Sequence, residues 1–176
     1  MIEAIKDKIA HFIVEQKVKE QEFTYTDFTD FFKKSFTYLV LMPGEDSDFT
    51  YAINILKALE NSKKHATVFT YDYKMNLVPA RYRPHVIDYT VRDISKFNLP
   101  GKKLLSKISG KHYNVVIDLN RKENLFCSYI SSIVNSPIKI GFSKPEADKY
   151  YNFQILNREE NPEISYKNFL NCLQMF

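Results

Sequence analysis

The chain has 176 residues, is 44% hydrophobic and 26% charged, and carries a net charge of +4. That length supports one domain with a sizeable core and needs neither disulfide nor metal staples. With four glycines and neither a GxGxxG nor a GxxxxGK motif, it holds no dinucleotide fingerprint and no P-loop, and its lysines, spread among acids, form no nucleic-acid motif. Cys127 and Cys172 stand apart from each other and from any ligand-like spacing, so they read as buried free thiols, with no metal site implied. No run approaches the roughly 18 apolar residues of a membrane span. The opening MIEAIKDKIAHF mixes acids and lysines, unlike a secretory signal, so a cytoplasmic protein is expected.

Residues 2–18 read as an amphipathic helix with Ile2, Ile5, Ile9, Phe12 and Ile13 on one side and Glu3, Lys6, Asp7 and Lys8 on the other. Its default role is to cover its own domain, with pairing to another subunit or lying on a membrane as alternatives. Residues 26–34 follow as a short helix capped by Thr26 or Asp27, with Phe28, Phe31 and Phe32 facing inward. Residues 1–35 are thus expected to form a helical extension packed on a domain of residues 36–176.

That domain is organised around residues 36–59. Tyr38 to Met42 is a continuous apolar run closed by Pro43-Gly44, the pattern of a central strand covered on both faces. A helix follows, with Ser47 or Asp48 as its cap and Ala52, Ile55, Leu56 and Leu59 as its apolar stripe. The loop between them lies at the carboxyl edge of the sheet, where open α/β folds bind ligands. Asp48 therefore has two readings, a plain helix cap and a group with chemistry to do.

Further along, residues 66–71 form a second strand, completing a βαβ unit, and His65 before it reads as a lone surface histidine. Residues 73–82 are a short helix or turn, residues 85–89 a third strand, and residues 102–109 a basic helix closed by Gly110. Residues 113–119 form a second buried strand that brings Asp118 and Asn120 to the same carboxyl edge, with Arg121 and Lys122 next in line. A helix at 124–134, a strand at 137–142 and an alternating edge strand at 150–156 follow. Asn161-Pro162 then opens a final helix. The alternation predicts an α/β, Rossmann-like, mostly parallel sheet with helices on both faces and strand order 3-2-1-4-5.

At these residues the chain resembles a known family. Val116-Ile117-Asp118-Leu119, a helix, Lys139-Ile140-Gly141-Phe142 and a Tyr-rich strand follow the order seen in the N-terminal domain of family 9 glycosyltransferases, the ADP-heptose:lipopolysaccharide heptosyltransferases. Ser47-Asp48 and the helix through Leu56, Ala58 and Leu59 fit the family's opening strand, Gly-Asp-like loop and helix. The resemblance implies the acceptor-side half of a two-domain GT-B fold, with the donor-binding half outside these residues. It implies a role in lipopolysaccharide biosynthesis, in the cytoplasm or peripheral to the inner membrane. Asp48 takes the place of the family's catalytic base, and Asp118, Asn120, Arg121 and Lys122 would bind a phosphorylated glycolipid acceptor. No cofactor or metal is implied. Two functions stay open: an acceptor half that works with a separate donor-binding domain and is inactive alone, or a noncatalytic binding or assembly module, self-associating through its terminal helices.

Overall fold

A computed structural model describes residues 2–18 and 26–176. Its centre is a six-stranded sheet in which every pairing is parallel: β1 (Thr37–Leu41), β2 (His65–Tyr71), β3 (Val86–Tyr89), β4 (Val115–Asp118), β5 (Ile138–Phe142) and β6 (Phe153–Ile155). The order is β3-β2-β1-β4-β5-β6. The expected order is therefore found, with the short edge strand added beside β5.

Pleating sends alternate residues of β1 to opposite faces. Tyr38, Val40 and Met42 join Phe49, Ala52, Ile55 and Leu56 of α3 (Asp46–Asn61) and Tyr166, Phe169 and Leu173 of α6 (Pro162–Gln174). Leu39 and Leu41 turn to the other face, against Leu104 and Ile108 of α4 (Lys102–Ser109) and Phe126 and Ile130 of α5 (Leu125–Ile133). Burial on both faces is why the strand reads as an unbroken apolar run, and each such side chain contributes about 1.5–3 kcal/mol.

The helix at the start, α1 (Ile2–Val18), lies outside α5, but not on the expected face. Ala10 and Val14 are its buried residues and Ile13 is partly buried, whereas Ile5, Ile9 and Phe12 are exposed. The small Ala10 permits a close approach that the larger stripe would block. The side chain of Ile2 lies outside the described part. In the next segment the helix is only α2 (Phe31–Lys34), with Asp30 at its start in the left-handed region. Asp27 accepts the amide of Thr29 in a turn instead of capping that helix. Residues 73–82, read as a helix or turn, fall in two 3-10 turns, Asp72–Leu77 and Ala80–His85.

On its α5 side β5 carries Lys139 and Gly141 where apolar residues would be usual. Gly141 is needed for space: a Cβ there would stand 2.9 Å from the ring of Tyr151. Lys139 donates to the carbonyl of Ser132 at 2.6 Å, and burial pulls its pKa down to about 8.

Two outcomes follow for β5. Gly141→Ala should lose about 1–3 kcal/mol by overpacking Tyr151, measurable by urea unfolding, and an unchanged midpoint would mean that the ring moves freely. For Lys139 the folded pKa lies below the ordinary lysine value of 10.5, so the unfolded chain holds more protons between these pH values. The destabilisation is complete below about pH 8 and is relieved as pH rises toward 10.5. Relative to Lys139→Met, the native chain should gain stability across that window, and a pH-independent difference would reject the assignment.

Candidate functional site

β1 and β4 are neighbours, with Leu41 opposite Asp118, and the chain leaves them in opposite directions across the sheet. The loops that follow, 42–45 and 119–124, therefore meet at the switch point of the carboxyl edge. They frame a cleft of about 280 Å3 lined by Pro43, Gly44, Glu45, Asp48, Asn120, Arg121, Lys122, Glu123 and Asn124. The residues singled out in the sequence are brought together here, though in different environments.

Asp48 is 2% exposed and lies inside α3, whose first residue is Asp46; Glu45 holds the cap position in an extended conformation without a side-chain cap bond. Neither Ser47 nor Asp48 is the cap. The reason is that the Asp48 carboxylate is taken by Arg121, whose Nε donates to Oδ2 at 2.9 Å and Nη2 to Oδ1 at 2.7 Å. This bidentate pair is the strong form of the interaction, and it raises the pKa of Arg121 further. The third nitrogen, Nη1, donates to the carbonyls of Glu160 at 2.9 Å and Glu159 at 3.3 Å, beside Ser165 at 3.3 Å. Tyr166 closes the arrangement, donating to the carbonyl of Leu119 at 2.6 Å with its oxygen 3.4 Å from Asp48. Burial and the nearby Asp48 charge push the Tyr166 hydroxyl pKa far up, so it stays a donor.

Asp118 is fully buried and organises the neighbouring loop. Its Oδ1 accepts the Asn120 backbone amide at 2.9 Å and the side-chain amide at 2.6 Å, and its Oδ2 accepts the Tyr151 hydroxyl. Asn120 Oδ1 in turn accepts the amide of Gly44 at 3.1 Å and the side-chain amide of Asn124 at 3.1 Å, linking the two loops. Asn161 opens α6 as read, accepting from Glu163 N, whereas Asn124, read as the first residue of its helix, is the cap of α5 and accepts from Cys127 N.

Two residues that the sequence did not mark complete the edge. Lys74, buried in the turn after β2, donates to the Gly44 carbonyl, pairs with Asp46 at 2.8 Å and lies 5.2 Å from the Phe49 ring centroid. Lys144, two residues past β5, is 3.6 Å from Asp118 and donates to the carbonyls of Asn120 and Lys122 at 3.2 and 3.3 Å. The available signal was a lone lysine just beyond the carboxyl end of each strand. Lys122 is exposed, with Glu45 3.4 Å away, and Glu123 is exposed near His11. So Asp48, Asn120 and Arg121 form the floor of the cleft, Asp118 lies buried beneath it, and Lys122, Glu45 and Glu123 are its exposed side chains. Among the described residues no three His, Cys, Asp or Glu side chains are grouped to hold a metal ion.

A parallel α/β sheet with its polar loops at the switch point defines the class of fold, one Rossmann-like unit. Two solved structures of the E. coli heptosyltransferase WaaC, one with ADP-2-deoxy-2-fluoro heptose and one with ADP, are similar to it. They are 14% and 15% identical, with TM-scores of 0.57 and 0.52. The matches cover 78% and 76% of this chain and 48% and 46% of those chains, so the chain spans about half their length. No curated protein matches the sequence. By its sequence over residues 6–176 the chain belongs to a family of unknown function, DUF6913.

The pair makes a sharp prediction. A helix cap tolerates Asp→Asn at little cost. Here Asp48→Asn strands the Arg121 guanidinium in a buried setting, and should cost about 3–5 kcal/mol in urea unfolding. Pairing Asp48→Leu with Arg121→Met should recover most of the loss, because no lone charge is then buried. Asp48→Asn at native stability would make the ion pair inconsequential.

Proposed function

We propose that the chain is a heptosyltransferase-like acceptor-side domain that binds its ligand without catalysing transfer by itself. The observation that carries this reading is the bidentate Asp48–Arg121 pair beneath α6. A general base has to reach the proton it removes. To do so, Asp48 would have to break two charge-assisted hydrogen bonds and leave Arg121 unpaired. Its work is structural: it holds α3, the 119–124 loop and α6 in one arrangement.

The ligand then lies in the cleft above. Exposed Lys122 suits a phosphate on the acceptor, and the Glu45 and Glu123 carboxylates accept hydrogen bonds from sugar hydroxyls. Asp118 and Asn120 act indirectly, by fixing the loop that carries Lys122, and Arg121 acts through Asp48. Transfer requires a donor sugar held against this cleft by a donor-binding domain, since juxtaposition of the two reactants supplies a large part of the rate. A phosphorylated glycolipid core is the acceptor class this reading favours.

The experiment uses a phosphorylated lipopolysaccharide core fragment and ADP-heptose. The fragment should bind saturably, Lys122→Ala should weaken it severalfold, and these 176 residues alone should release no ADP. Sugar transfer by this chain, lost in a folded Asp48→Asn variant, would overturn the reading and make Asp48 a base.

A further inference from the structure

A cluster of basic side chains lies at the opposite end of the strands. There the starts of β1, β2 and β4 and the turn before β3 surround a cavity of about 480 Å3. Its wall carries Lys64, His65, Arg81, His85, Lys111 and His112, against one acid, Glu60. His65 is thus not solitary: His85, from 20 positions further on, and His112 share its cavity.

Part of this charge has a structural explanation. α3 and α4 both end at this edge, and two helix C-termini together present about one negative charge. Arg81 is paired with Glu60, and Lys64 donates to the carbonyl of Lys33 at 3.0 Å while facing the rings of Phe32 and Phe36. Those two cations answer the acid and the helix ends. His65, His85, Lys111 and His112 are in excess, and among the described residues their side chains make no hydrogen bond or ion pair.

A second observation comes from the wall itself. Tyr113 and Thr67 both line the cavity, Tyr113 only 4% exposed with its hydroxyl buried against the Thr67 side chain, so the wall behind the basic groups is polar. An anion rich in oxygen would answer the excess of basic side chains.

We propose that this amino-edge cavity binds a small phosphomonoester. A terminal phosphate offers three strongly accepting oxygens, enough for Lys111 and the imidazoles together, where a carboxylate offers two. The volume lies in the range of small-molecule sites and exceeds what inorganic phosphate fills, so the phosphate is borne on a larger body. This site is separate from the carboxyl-edge cleft and does not depend on the function proposed for it.

The four histidines make the test readable, because His11 lies on α1, away from the cavity. Glucose 6-phosphate is titrated into the full chain at low ionic strength while the imidazole resonances are followed by NMR, with glucose as the control. His65, His85 and His112 should shift saturably and His11 should not. Lys111→Gln and His112→Gln, both at exposed positions, should each weaken binding about tenfold, the loss of one charge-assisted hydrogen bond. Non-saturating shifts, equal shifts at all four histidines, an equal response to glucose, or native affinity in both variants would overturn the site and leave the basic edge to the helix ends alone.

Discussion

The Asp48–Arg121 ion pair is the constraint on which the carboxyl edge depends. Taking two charges out of water costs several kcal/mol for each ion, so such a pair adds stability only when its remaining hydrogen-bonding capacity is met. Here it is met from a distance: two backbone carbonyls and a serine at the start of α6 complete the guanidinium, and Tyr166 closes the side facing the sheet. One carboxylate thereby settles where α6 sits on α3 and where the 119–124 loop lies between them. Buried ion pairs are weak sources of net stability, but they penalise every arrangement in which only one partner is buried.

The same logic recurs beside it. Lys74 secures the loop after β1, and Lys144 secures the loop after β4, each by donating to main-chain carbonyls while answering one acid. Arg121, Lys74 and Lys144 thus tie two loops to the carboxyl edge of the sheet. Side chains fixed in this way form a rigid floor, and the side chains left exposed in the cleft are others on the same loops. A binding surface whose backbone is held and whose side chains are free can change specificity without loss of fold.

Much of the fold was legible because it is written in local patterns. The apolar runs at 38–42 and 113–119 identify the doubly covered strands, and short connections between strand and helix require parallel crossovers. What failed to read out was non-local. Asp48 has the local look of a cap, and its partner stands 73 positions away, with no sequence signal to join them. Lys74 and Lys144 are ordinary surface lysines by composition, and only the sheet brings them over Gly44 and Asp118. The first helix misled differently: it carries two apolar stripes, and the larger residues belong to the stripe that remains exposed. The candidate site was therefore legible as a place in the fold more than as a set of roles.

The position of α6 also bears on how the chain comes to be folded. Synthesis delivers residues in order, and domains fold as units as they emerge. β1 is made early yet stands at the centre of the sheet, and Tyr166, which meets Asp48, is made 118 residues later. During that interval Asp48, on the same helix as Phe49, Ile55 and Leu56, is a charged group whose partners Arg121 and Tyr166 are yet to be made. The carboxylate that is locked in the finished domain is, in the nascent chain, a solubilising group beside a sticky surface. The late arrival of α6 converts it from one role to the other.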